Sequence, residues 1–137
     1  MTAPLEQRTR VQLRWRDMDM LGHLNQSVYH ELLEEARAAL ITEVIRRAGV
    51  DQVHGTFVLA RVELDYRTEV RKDHGEVEIV VRVERVGNSS VVLEHEISLP
   101  DGTVAAAGRT VIVAWDAAAR AKRLLSEGER AVLTAGR

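Results

Sequence analysis

The stretch Arg14-Trp15-Arg16-Asp17-Met18-Asp19-Met20-Leu21-Gly22-His23-Leu24-Asn25 gathers two carboxylates, a glycine, an imidazole and a carboxamide, and Gln26 to Ala48 follows directly behind it. In that following segment Tyr29, Leu33, Ala36, Leu40, Val44 and Ala48 recur every three or four residues, with Leu32, Ile41 and Ile45 widening the stripe. This is the pattern of one long amphipathic helix. About 22 helical residues would span roughly 33 Å, which is long for so small a chain. Gly49 is placed to stop the helix, and Asn25 or Ser27 can cap its start. An acid held in front of a helix N-terminus suits attack on a carbonyl. The acid supplies a base or nucleophile, and the unpaired N–H groups of the first turn can receive an oxyanion. An enzyme is therefore the leading expectation.

Outward from this segment the period changes to two. Before the loop, Val11, Leu13 and Trp15 alternate with Gln12, Arg14 and Arg16 as in a half-buried strand. After the helix, Ala60, Val62, Leu64 and Tyr66 alternate with Arg61, Glu63, Asp65 and Arg67; Val77, Ile79, Val81 and Val83 alternate mostly with charged residues. Gly87-Asn88-Ser89 supplies a turn before Val91, Leu93, His95, Ile97 and Leu99, and Pro100-Asp101-Gly102 a second turn into Thr103 to Trp115. Ala117 to Leu125 reads as helical, and Ser126 with Glu129 has capping-box spacing for a last short helix. A strand, a long helix and four more strands predict an α+β domain: an antiparallel five-stranded sheet wrapped around the helix, within a single domain over residues 1–137. Polar residues of the long strands would face outward or toward a partner subunit.

Composition narrows the function classes. A formal net charge of −2 gives no global basic field that calls for nucleic acid. With no cysteine, disulfides, thiolate catalysis and cysteine-ligated metal centres are excluded. Met1 to Gln7 is too short and mixed for a signal peptide, and no apolar run approaches membrane-spanning length. A soluble cytoplasmic protein with no membrane partner is the expectation.

The run Asp17 to Asn25, then Tyr29, Glu34, Ala36 and Arg37, resembles the 4-hydroxybenzoyl-CoA thioesterase family of the hotdog superfamily; Arg61 to Tyr66 and the Gly108-Arg109 strand are also similar to it. The Gly-His-x-Asn variant is most similar to long-chain acyl-CoA thioesterases, and it resembles acyl-carrier-protein thioesterases as well. The resemblance implies a hotdog fold and hydrolysis of a fatty or aromatic acyl-CoA, with coenzyme A as part of the substrate and no metal or redox cofactor. It implies that Asp19 is the catalytic carboxylate, that the Gln26 amide polarises the thioester carbonyl, and that His23 and Asn25 order the loop or touch the substrate. Asp17 would brace the loop and, with Gly22 and Tyr29, lie close to the substrate. Glu63 and Tyr66 would line the cleft, while Ser89 and Ser90 stand where relatives meet the coenzyme A nucleotide. A homodimer or homotetramer with sites between subunits is implied. One departure concerns the carrier: relatives have a basic cluster before the fourth strand where this chain has Gly87-Asn88-Ser89-Ser90. The phosphates would then meet other bases, such as Arg71, Lys72 or Arg85, or the carrier is an acyl-carrier protein.

Each of these residues also has a plainer reading. Asp19 can simply satisfy turn amides, as loop aspartates do, and Asn25 can be only a helix cap. His23 can be satisfied by backbone. An Asp-x-Asp pair can hold magnesium, but no second acidic motif and no phosphate-cradling glycine loop accompany it. His54, His74 and His95 read as ordinary loop or strand residues. Glu34 is a backup carboxylate on the helix, more simply salt-bridged to Arg37. Arg120, Lys122 and Arg123 read as a solvated helix face. Against hydrolysis stand hotdog hydratases, which keep a different His and acid arrangement, and a non-catalytic acyl-CoA-binding protein.

Overall fold

A computed structural model describes residues 5–50 and 56–135; His54 lies outside them. In chain order the elements are β1 (Glu6–Gln12), α1 (Gln26–Ala48), β2 (Phe57–Tyr66), β3 (Glu76–Val86), β4 (Ser90–Ser98), β5 (Val104–Asp116), β6 (Ala121–Lys122) and α2 (Glu127–Leu133), with 3₁₀ turns at Trp15–Asp17 and Lys72–His74. The sheet is antiparallel in the order β1-β3-β4-β5-β2, and β6 pairs back onto β5. The expected five strands are thus joined by a sixth of two residues. This is the hotdog arrangement, a curled sheet around one long helix.

α1 has the bounds its periodicity predicts. Asn25 caps it, its side chain accepting from the Ser27 amide, and Gly49 ends it with a left-handed φ of 72°, a conformation that glycine adopts without steric cost. Leu33, Ala36, Leu40 and Val44 are buried against Val77, Ile79, Val81 and Val83 of β3 and Val91, Leu93 and Ile97 of β4. The other face of these strands carries charge, including the pairs Arg8–Glu78 and Arg109–Glu84. α1 packs on β1, β3 and α2. β2, an edge strand bonded on one side to β5, stands away from it.

Three expectations fail for identifiable reasons. The first strand ends at Gln12; a bond from Arg14 to Asp17 pulls the chain into a 3₁₀ turn, so Leu13 is buried but Trp15 is 85% exposed. Residues 117–125 are not helical. The Asp116 carboxylate accepts from the amides of Ala118 and Ala119, and Arg120 takes a left-handed φ of 55°, which turns the chain back into β6. Arg123 is accordingly no solvated base. It makes two bonds, of 2.7 and 2.9 Å, to the fully buried Glu129 carboxylate, also donates to the Thr56 carbonyl, and lies over the Phe57 ring. Finally, Glu34 and Arg37 form no ion pair; Arg37 is buried beside the helix stripe.

His95 is another buried polar group. It faces α1 from β4, and neither ring nitrogen has a hydrogen-bond partner. Burial pushes its pKa down to about 4; the Arg109 main chain opposes this without reaching hydrogen-bond geometry, and the Arg37 and His30 charges add to it. An unfolded histidine titrates near 6.5. Between those values the unfolded chain binds a proton that the folded chain refuses, so stability falls as pH falls. The loss attributable to His95 should reach about 3 kcal/mol below pH 4. Urea unfolding across this range should show that slope in the wild type and its removal in His95→Leu. Equal wild-type stability at pH 6.5 and 5, where carboxylates do not yet contribute, would contradict it.

Candidate active site

The loop between β1 and α1 is built on Asp17. Its carboxylate is buried and takes the Arg14 guanidinium at 2.8 Å and the Arg14 amide at 2.9 Å. Burial alone would raise its pKa, but the Arg14 bonds hold it below the usual carboxylate range. Asp17 therefore supports the loop from beneath, as the bracing expected of it requires, and lines neither cavity at Asp19, where a substrate contact was expected. The Asn25 amide donates to the Asp17 carbonyl at 2.8 Å and the Leu24 amide to the Val70 carbonyl at 2.7 Å, tying loop and helix start to the segment after β2.

Above this base the chain folds into a small hairpin. The Asp19 amide donates to the His23 carbonyl and the Gly22 amide to the Asp19 carbonyl; Gly22 has φ 78°, which few residues with a Cβ adopt. Asp19 Oδ1 accepts from the amides of Leu21 at 2.9 Å and His23 at 3.1 Å. Asp19 Oδ2 has no such partner among the described residues. One oxygen thus does the ordinary work of a turn aspartate and the other is left for chemistry. The Gln26 amide, first of the helix, likewise meets no acceptor among the described residues, because Asn25 takes the Ser27 amide and its carbonyl the Val28 amide.

Asp19 and Gln26 share the wall of a cavity of about 430 Å³ with Tyr29, Tyr66 and Glu69. Tyr29 and Tyr66 meet edge to face at 4.9 Å, and burial raises the Tyr29 phenol pKa. Asp19 also lines a larger cavity of about 800 Å³ with Trp15, Arg16, Met18, Gly22 and Lys72. Asp19 lines both openings.

His23 lines the cavity of Tyr29 and Tyr66, and the ordering of the loop expected of it comes from its main chain. Its main-chain amide steadies Asp19, while its ring turns to Glu69, with Nε2 2.7 Å from Oε2. Glu69 is held below the normal carboxylate range by its bond to Arg71, with His23 adding to it, and Arg71 also pairs with Asp73. Glu69 is a site residue that sequence reading missed. It sits in the irregular segment after β2, where no periodicity marks which side chains turn inward.

Two expected contacts do not join the site. Glu63 pairs with Arg61 at 2.8 Å and stands opposite Arg109, on the sheet face that turns away from α1. A strand's alternation fixes this, since Tyr66 faces the helix and Glu63 is an odd number of residues away. Ser89 and Ser90 lie at the other end of the sheet. Ser90 pairs with Val113 whereas Tyr66 pairs with Ala106, a separation of about 23 Å along β5. Neither serine lines a cavity shared with Asp19. Of the bases considered for phosphate, Arg71 is already paired to two acids, Lys72 lines the larger cavity without an ion pair among the described residues, and Arg85 lines neither cavity; Arg16, which the sequence did not single out, lines the larger one beside Lys72.

Among the described residues no helix is long and apolar enough to cross a membrane. No group of three His, Asp or Glu side chains there could hold a metal ion.

Comparison with known proteins bears on this geometry. No curated protein matches the chain. Among solved structures it is similar to a Thermus thermophilus thioesterase complexed with coenzyme A and Zn, at 34% identity and a TM-score of 0.78, over 93% of this chain and 90% of that one. It is also similar to a Xanthomonas campestris protein named as a candidate acyl-CoA thioesterase, at 31% identity and a TM-score of 0.67, over 80% of this chain and 92% of that one. A Bacillus stearothermophilus protein named as a predicted thioesterase shares the fold at a TM-score of 0.83 and 24% identity, over 93% of each chain. The family model described as the thioesterase-like superfamily matches residues 13–133, and the chain belongs to that superfamily.

Proposed function

We propose that the protein hydrolyses acyl-CoA thioesters, with Asp19 as the catalytic carboxylate and the Gln26 amide as oxyanion donor. The observation that carries this reading is the free Asp19 Oδ2 on a cavity wall shared with the unpaired Gln26 N–H. Thioesters suit such a site. Their carbonyl is poorly stabilised by resonance, and the thiolate leaves readily, so one carboxylate and one preorganised donor suffice. Used as a nucleophile, Asp19 bonds to the carbonyl carbon and the C–S bond breaks, giving an anhydride and coenzyme A thiolate; water then cleaves the anhydride and restores the carboxylate. Used as a base, Asp19 takes a proton from the water that attacks. Both uses end at the free acid and the thiol, and both place negative charge on the oxygen facing Gln26. The reading calls on no metal or redox cofactor.

The two openings divide the substrate. The Tyr29–Tyr66 cavity receives the acyl group, fatty or aromatic. The cavity of Trp15, Met18, Arg16 and Lys72 receives the carrier end, whose phosphates meet the two cations. Arg16→Ala and Lys72→Ala should each raise KM for acyl-CoA about fivefold, the size of an exposed charge contact near 1 kcal/mol. The effect should shrink at high salt, leave kcat unchanged, and be absent with an acyl-pantetheine that lacks phosphate. Equal KM changes on the phosphate-free substrate would remove the two bases from carrier binding. The protein works as a homodimer or homotetramer, in which Ser89 and Ser90 of one subunit can approach the site of another.

Thiol release from a panel of acyl-CoAs of graded chain length, aromatic acyl-CoA and acyl-carrier protein tests the activity. Turnover of at least one acyl-CoA is expected. Turnover of the carrier-protein substrate alone would transfer the activity to that class, and no turnover on any would end the enzyme reading.

A further inference from the structure

Trp15 leaves the largest kind of apolar side chain on the surface. The bonds between Arg14 and Asp17 turn the chain so that Leu13 enters the core and the Trp15 indole stays 85% exposed. The ring meets no other aromatic ring and no cation stacks on it among the described residues. Its main chain is nevertheless fixed. The Trp15 carbonyl takes the Met18 amide at 3.3 Å, and the Asp17 amide donates to the Arg14 carbonyl at 3.0 Å. A flat apolar face whose backbone is ordered beforehand loses little entropy on binding a ligand.

The surroundings of the indole are cationic. Trp15 lines the cavity of about 800 Å³ with Arg16 and Lys72, neither of which forms an ion pair among the described residues. Lys72 is carried there by the 3₁₀ turn Lys72–His74, and the preceding Arg71 bridges to His23 of the hairpin. An aromatic face beside two unpaired cations suits a ligand with a flat ring and phosphates. A purine nucleotide has both: the base stacks on the indole and the phosphates meet the cations. Asp19, on the same cavity, sets where the rest of the ligand must reach. Four residues separate it from Trp15, so their main chains lie at most about 14 Å apart, a span for a pantetheine arm. The turn from Gly87 to Ser90 has no cation and lines neither cavity at Asp19.

We propose that Trp15 stacks on the adenine of coenzyme A. The carrier is then the nucleotide and not an acyl-carrier protein, whose phosphopantetheine has no base to stack. The inference rests on the acyl-CoA reading above in what concerns the carrier, and it is tested by binding without turnover.

The chain has two tryptophans, and Trp115→Phe leaves Trp15 as the only one. Acrylamide should quench its emission in the free protein, as it does for an exposed indole. Free coenzyme A should quench the emission on binding and shield the ring from acrylamide, whereas phosphopantetheine at high concentration should do neither. By calorimetry, Trp15→Leu should weaken coenzyme A about 5- to 100-fold. Trp15→Tyr should keep most of the affinity, because stacking needs a flat aromatic face and not the indole nitrogen. Apolar bulk alone would make the leucine and tyrosine variants equal. An indole already shielded in the free protein, coenzyme A that does not bind, phosphopantetheine that quenches as coenzyme A does, or equal affinities in the two variants would each overturn the proposal. Neither probe is hydrolysed, so the two readings fail separately. A chain that binds coenzyme A through Trp15 yet turns over no acyl-CoA would uphold this proposal and end the hydrolytic one.

Discussion

Replacing Gln26 by proline is expected to leave the protein folded and to cost about 10²–10³ in kcat, the loss typical of removing one oxyanion donor. The substitution removes one hydrogen and little else. Gln26 is the first helical residue, a position that proline favours because its N–H has no intrahelical partner there. The preceding Asn25 already has φ −64° and ψ 138°, the extended conformation that a residue before proline requires. The Asn25 side chain keeps its bond to the Ser27 amide, so the cap survives. Gln26→Ala is the control, since it removes the side chain from the cavity and keeps the amide; its kcat should stay close to wild type. Initial rates of thiol release, paired with thermal melting, separate the outcomes. Wild-type kcat in a folded Gln26→Pro protein would show that the oxyanion is received elsewhere. Loss in Gln26→Ala as well would move the effect to the carboxamide.

How much of this could be read in the sequence follows from how local each determinant is. The bounds of α1 were legible because stripe, cap and stop lie within one segment, Asn25 to Gly49. The interior strands β3 and β4 were legible because one face is buried and the alternation is clean. The errors came where a side chain captured the main chain. Arg14 and Asp17 turned an alternating strand into a 3₁₀ turn, and Asp116 turned an alanine-rich stretch into a hairpin that competed successfully with its helix propensity.

The site divides in the same way. The loop's own residues, Asp17 to Gln26, were marked by their place before the helix and by the family resemblance, and the structure gives them different positions: Asp17 beneath, Asp19 on the cavity, Asn25 at the cap. Long-range relations were not available. Glu69 arrives from the far side of β2 to hold His23. Glu63 faces the opposite side of the sheet from its expected place, and Ser90 lies at the sheet's other end. Arg37 looked like one half of a helical ion pair, yet it is buried without its glutamate. Its burial depends on how the sheet curls past α1, which no window of sequence contains.

The account rests on the free oxygen of Asp19. Asp19→Asn is nearly isosteric and retains an oxygen that can accept from the Leu21 and His23 amides, so the hairpin should hold and the melting temperature should stay at the wild-type value. What is lost is the negative charge that either attacks the thioester carbon or takes a proton from water. General-base contributions are worth about 10²–10⁴ in rate, and a lost nucleophile leaves only the binding and the oxyanion donor. The direct measurement is thiol release at saturating acyl-CoA by wild type and Asp19→Asn side by side, in a protein whose own sequence has no cysteine to add background. A fall in kcat of at least about 10² with the fold intact is the predicted result. A folded Asp19→Asn enzyme that releases thiol at the wild-type rate would contradict the account.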